Sequence, residues 1–146
     1  MRLLTLLSAI LFLSSCQNAF EYREDRLIGS WEFDDATEEE NRTYTTRFSI
    51  MGDYRNDQIE FMSDGTLVYQ ESSGGGSILH GIWSMTSVST ASDDGQNTDY
   101  VLTMSMQDSL NQLQQYTWEI NLLTYDRLQC RTETQDYIYC YELLKL

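Results

Sequence analysis

The sequence predicts an all-β fold: a single eight- to nine-stranded antiparallel up-and-down barrel behind a short helical or irregular tether. Three observations carry this expectation. After residue 26 the chain breaks into short runs rich in aromatic and β-branched residues, separated by turn residues. Several runs alternate apolar and polar residues with the two-residue period of a half-buried strand. The connections are short, so successive strands pair as antiparallel neighbours, and closing the sheet removes its exposed edges.

The N-terminus is of a different kind. Met1-Arg2 supplies a positive charge and residues 3–13 (LLTLLSAILFL) form an apolar run. That run is too short for a permanent span, which needs roughly 20 residues. It has the length and charge of an export signal. The order Leu13-Ser14-Ser15-Cys16 resembles the lipobox of bacterial lipoproteins. The resemblance implies that residues 1–15 are a cleaved signal peptide and that Cys16 carries a thioether-linked lipid. Residues 16–26 are then a lipidated tether, in which Asn18-Ala19-Phe20-Glu21 has the form of a capping box. Gln17 is not the Asp that commonly marks inner-membrane retention, so the expected location is the cell envelope, at the outer membrane, facing the periplasm or the surface.

The barrel domain is expected over residues 27–146. Strands are expected near residues 28–34, 43–50, 57–62, 66–71, 79–87, 99–106, 115–122, 126–132 and 136–142. Tyr100, Leu102, Met104 and Met106 share one face, as do Tyr116, Trp118, Ile120 and Leu122. Asp64-Gly65 is a hairpin turn, because glycine accepts positive φ. Residues 72–77 (SSGGGS), 93–97 (DDGQN) and 123–125 (LTY) supply further turns.

Four stretches in order resemble the bacterial lipocalin-like domain lipoproteins. They are the G-x-W opening at Gly29-Ser30-Trp31, the Ile59-Glu60-Phe61-Met62-Ser63-Asp64-Gly65-Thr66 hairpin, a second G-x-W at Gly81-Ile82-Trp83, and the late turn from Ile120 to Leu128. The resemblance implies a lipocalin-like barrel. It also implies an arginine from a late strand stacked on the first tryptophan, with Arg127 and Arg131 as the candidates.

Composition narrows the function classes. The 146-residue chain carries 23 acidic and 9 basic residues, a net charge of −14, and loses one more positive charge if Arg2 leaves with the signal. Such a surface repels phosphates, so a nucleic-acid partner is not expected. Apart from its anchor, the domain should not adhere to anionic membrane. Ten Tyr, five Phe and three Trp argue against disorder.

No catalytic constellation is evident. His80 is the only histidine, so a Ser-His-acid triad would have to use it, and no nucleophile stands near it. Metal and cofactor sites are not expected: zinc lacks a ligand set, and the acidic run Asp34-Asp35 with Glu38-Glu39-Glu40 is not an ordered calcium loop. That run reads as a solvated acidic loop. The glycine tract at residues 72–77 leads into no helix and contains no lysine, so it is no phosphate loop.

Cys130 and Cys140 lie symmetrically about Gln135. A hairpin turning there sets them opposite each other and allows a cross-strand disulfide, with two buried thiols as the alternative. In that register Tyr137, Tyr139 and Tyr141 lie outside if Leu128 lies inside.

Two functions remain open. One is binding of a small apolar or amphipathic ligand in the interior, for which Trp31, Phe33, Phe61, Trp83, Met104, Tyr116 and Trp118 are the candidate contacts, with Phe48 and Met85 also expected inside. The other is a non-enzymatic interaction module (an accessory subunit, glycan-binding protein or inhibitor) that uses the outer surface and loops. An eight-stranded barrel is just wide enough to be filled by side chains or to hold one small ligand. Bulky side chains filling the interior would therefore favour the second.

Overall fold

A computed structural model describes residues 23–41, 46–72, 76–92, 95–107 and 112–146. The expected signal, Cys16 and most of the tether lie outside the described residues. A short helix, α1, covers residues 23–27. Among the described residues nine strands follow: β1 Gly29–Glu40, β2 Arg47–Ser49, β3 Gln58–Phe61, β4 Thr66–Gln70, β5 Ile78–Ser92, β6 Gly95–Gln107, β7 Leu113–Leu123, β8 Arg127–Glu133 and β9 Tyr137–Lys145. A one-turn helix, α2, spans Met51–Tyr54 between β2 and β3.

All pairings are antiparallel. The sheet runs β1-β3-β4-β5-β6-β7-β8-β9 and closes by pairing β9 with β1, giving an eight-stranded barrel. The short β2 is an addition. It pairs with Thr37–Glu39 on the far half of β1, while Gly29–Glu32 on the near half pair with β3. A bulge between Phe33 and Asp35 separates the two halves, and an extra residue there bends the strand.

Three departures from the expected elements have local causes. The acidic run is no loop: β1 continues through it to Glu40, because β9 pairs with it up to Glu40↔Tyr137 and supplies its backbone partners. The β5–β6 hairpin keeps an unbroken register from His80↔Gln107 to Ser92↔Gly95, well past the expected strand ends. A second bulge, between Ile120 and Leu122, shifts the phase of β7. Leu122 therefore stands exposed and Leu123 is buried, rather than Leu122 continuing the inward face of Trp118.

The β8–β9 hairpin corrects the cysteine reading. Thr134 N–H donates to the Tyr137 carbonyl, so the turn is centred on Gln135-Asp136 rather than on Gln135. The register pairs Cys130 with Tyr141 and Arg131 with Cys140. A one-residue slip moves a strand's side chains to the opposite face. Cys130 therefore points inward and Cys140 outward, and both are free thiols. The same shift brings Tyr141 into the core and packs Tyr139 against it, so there is no outward tyrosine stripe of three.

One end of the barrel is closed. Leu27 of α1 is fully buried there, and its carbonyl accepts a 2.7 Å hydrogen bond from Trp31 Nε1. Arg26 donates to the Leu123 carbonyl, and Lys145 Nζ donates to the Arg26 carbonyl. The cation over the Trp31 ring is Lys145, 5.1 Å from the centroid. The two arginines expected in that role lie elsewhere: Arg127 pairs with Glu142 and Arg131 with Glu119. Phe61, Leu67, Leu102, Leu128 and Leu143 belong with Trp31 to one buried hydrophobic cluster. Gly81 of the second G-x-W lets β5 lie close to β6, since a Cβ there would run into the Ser105 carbonyl oxygen.

Candidate functional site

The opposite end of the barrel holds a cavity of about 430 Å³. Its floor and walls come from the alternating inward positions of the strands: Phe33 on β1, Ile59 on β3, Tyr69 on β4, Met104 and Met106 on β6, and Tyr116 and Trp118 on β7. Tyr141 enters from β9 through the shifted register. Tyr54 enters from α2, at the point where β1 has diverged from β3.

The aromatic rings form one connected wall centred on Phe33. Its centroid lies 5.0 Å from Tyr54, 5.9 Å from Tyr141, 6.2 Å from Trp118 and 6.3 Å from Tyr69. Trp118 stacks on Tyr141 at 5.2 Å. These separations match the favoured offset and edge-on arrangements of aromatic pairs.

The segment carrying Tyr54 is held by backbone bonds. Ile50 N–H donates to the Ala36 carbonyl, and Asp57 N–H donates to that of Tyr54. Asn56 takes the left-handed conformation, with φ of 63°, which asparagine tolerates better than most residues. The turn delivers Asp57 into the wall, where it is 1 % exposed. Its Oδ2 accepts from the Tyr69 hydroxyl at 2.5 Å and its Oδ1 accepts from Ser72 N–H at 2.7 Å. Asp57 thus ties the start of β3 to the end of β4.

The phenols report the environment. Burial, and then the hydrogen bond to Asp57, pushes the Tyr69 hydroxyl far above the ordinary phenol range. Burial, and then the hydrogen bond shared with the Tyr54 hydroxyl, does the same to Tyr141. Tyr116 is raised by burial, with further upward pushes from Tyr54 and Glu71. Asp53 and Glu71 complete the lining with carboxylates. Among the described residues lining the cavity there is no lysine, arginine or histidine.

Of the seven interior candidates, Phe33, Met104, Tyr116 and Trp118 line the cavity. Trp31 and Phe61 point inward but are packed solid toward the closed end. Trp83 packs edge-on to Phe61 at 5.7 Å and donates its indole N–H to the Met62 carbonyl, so it also lies outside the lining. Met85 is buried, whereas Phe48 on β2 is 54 % exposed. Sequence reasoning missed Tyr54, Asp57, Tyr69 and Tyr141. Tyr69 shares the phase of Leu67 and was within reach of the alternation argument, while the other three depend on a connection or on a register.

His80 is an exposed strand residue paired with Val68 and Gln107. Among the described residues no group of three or more His, Cys, Asp or Glu side chains is placed to hold a metal ion. Among the same residues no helix is long and apolar enough to cross a membrane. No protein-family model, curated protein or solved structure matches this chain.

Proposed function

We propose that this protein is a membrane-anchored lipocalin-like lipoprotein that holds one small apolar or amphipathic molecule in the open end of its barrel. The observation that carries the reading is the cavity itself. Ligand sites are typically clefts of roughly 300–1,000 Å³, mostly apolar, with a few placed polar groups. This one has about 430 Å³, an aromatic and methionine wall, and polar groups from Asp57, the tyrosine hydroxyls, Asp53, Glu71, Ser77 and Gln114. A barrel packed solid would have favoured an interaction module on its outer face. Here Trp31 and Phe61 are packed solid toward one end, while a cavity remains between the aromatic walls of the other.

The anchor follows from Leu13-Ser14-Ser15-Cys16. Residues 17–22 reach at most about 20 Å when extended, and they lead into α1 at the closed end. The closed end then faces the membrane and the cavity faces away from it. The role is binding rather than catalysis.

The test is native mass spectrometry of the full chain purified from its own cells, followed by organic extraction. A reproducible small molecule that extraction releases is the expected result. A clean unliganded mass across independent preparations would overturn the carrier reading.

A further inference from the structure

The geometry points to an organic cation, an ammonium group on an apolar body, as the class of molecule the cavity selects. This rests on the binding reading above and names its ligand chemistry. Three features of the cavity agree on the sign of the charge. Its rings, centred on Phe33 and including Tyr54, Tyr69, Trp118 and Tyr141, line one open-ended volume. A cation over an aromatic face is attracted by the ring quadrupole, most strongly where water is displaced.

The ionisable groups of the lining are the second feature. Asp53, Asp57 and Glu71 are acidic, and the described lining holds no basic residue. The Asp57 carboxylate is engaged by Tyr69 and Ser72, and both bonds come from neutral donors. Glu71 acts over distance as well, adding to the upward push on both Tyr69 and Tyr116 after burial. A cleft lined by one sign of charge between low-dielectric walls focuses its field on whatever enters.

The third feature is the chain as a whole, with a net charge of −14. It repels an approaching carboxylate or phosphate and attracts an ammonium ion. A fatty acid would carry its head group into a negative cavity with no basic partner. A neutral lipid would leave the acidic lining unused. At about 30 Å³ per water, a space of about 430 Å³ holds roughly fourteen water-sized groups. That suits a compact amine with a short apolar tail.

Titration calorimetry on the full chain with three probes tests this: decyltrimethylammonium, decanoate and decanol, which share a tail and differ in charge. The ammonium probe is expected to bind about tenfold more tightly than either of the others. In the double variant Asp53→Asn/Glu71→Gln, with its fold checked by circular dichroism, that preference should fall to about threefold or less, since Asp57 and the rings remain. Equal binding of all three probes, or tighter binding of decanoate, overturns the cation assignment while leaving a ligand cavity in place. A preference that survives intact in the double variant overturns the role of the acidic lining. Binding of none of the three overturns the cation assignment together with the binding reading.

Discussion

Replacing Arg131 with cysteine tests the β8–β9 register on which the shape of the cavity depends. Arg131 pairs with Cys140 across the hairpin. Thr134 and Tyr137 form a hydrogen-bonded pair at the turn. Counting back along an antiparallel ladder, in which pair types alternate, makes Arg131 and Cys140 a non-hydrogen-bonded pair, whose side chains lie closer together. The variant Arg131→Cys should therefore oxidise with Cys140 without strain. Closing a loop of about ten residues removes unfolded-state entropy worth about 2.7 kcal/mol. Against that stands the ion pair of Arg131 with Glu119 at 2.7 Å, whose side chains are 41 % and 50 % exposed. Exposed pairs contribute at most about 1 kcal/mol. A net gain of about 2 kcal/mol raises Tm by roughly 8 °C for a domain of this size. Calorimetry with and without reductant measures the gain, and peptide mapping after thiol alkylation identifies the bond. In the parent protein both thiols should alkylate after denaturation, with the buried Cys130 protected while folded. A native Cys130–Cys140 disulfide, or a variant in which position 131 stays reduced beside Cys140, would refute the register and with it the inward placement of Tyr141.

Four other outcomes follow from the same geometry. Asp57→Ala removes the acceptor for both the Tyr69 hydroxyl and Ser72 N–H; urea unfolding should show a loss of about 3 kcal/mol, since hydrogen bonds to charged groups are each worth roughly 1.5–3 kcal/mol. Gly81→Ala forces a Cβ against the Ser105 carbonyl, and overpacking of that kind lowers stability by about 1–3 kcal/mol, read as a fall in Tm. Tyr69 and Tyr141 have folded-state pKa values raised above the unfolded value near 10; the stability they contribute is complete below about pH 10 and lost as pH climbs above it. Their phenolate absorbance should thus appear only together with loss of the circular dichroism signal, and ionisation of all ten tyrosines in the native fold would contradict this. Cys16→Ser should move the protein from the membrane to the soluble fraction, with intact mass confirming the missing lipid; unchanged membrane association would count against the lipobox reading.

The barrel was legible in the sequence because a half-buried strand writes its face into every second residue. Leu102, Met104 and Met106, or Tyr116 and Trp118, name their own side of the sheet, and four of the seven candidate contacts came from such positions. What alternation does not record is where along the barrel axis an inward residue falls. Trp31, Phe61 and Trp83 point inward or sit against the core, yet they pack toward the end that α1 closes. Nor does alternation survive an inserted residue. The Ile120/Leu122 bulge moved Leu122 outside, and a turn shifted by half a residue exchanged the faces of Cys140 and Tyr141. Tyr54 and Asp57 lie in a connection, where no periodicity operates, and only the folded path of the chain from α2 into β3 brings them to the cavity.

The packed end and the hollow end of the barrel differ in what its strands and connections bring to each. β3 and β4 have four and five residues, whereas β5, β6 and β7 have fifteen, thirteen and eleven. β5 begins level with the end of β4, with Ile78 opposite Gln70, and its extra length runs with β6 past the Asp64-Gly65 turn rather than beyond Gln58 and Gln70. Trp31, Phe61 and Leu67 belong to the buried cluster and not to the cavity lining. Above Ile59 the β3 side of the wall is made by α2, four residues long, whose Tyr54 lies against Phe33 instead of reaching the far side. The cavity is thus the volume that Tyr54 and the strand side chains around it leave open. Its aromatic lining is the exposed top layer of the same hydrophobic core that holds the barrel closed. This explains why Phe33 and Trp118, which a ligand would touch, are also core residues at 3 % and 6 % exposure. Binding residues and folding residues are the same side chains here. Substitutions intended to probe the ligand should therefore fall on the rim groups Asp53 and Glu71, not on the rings beneath them.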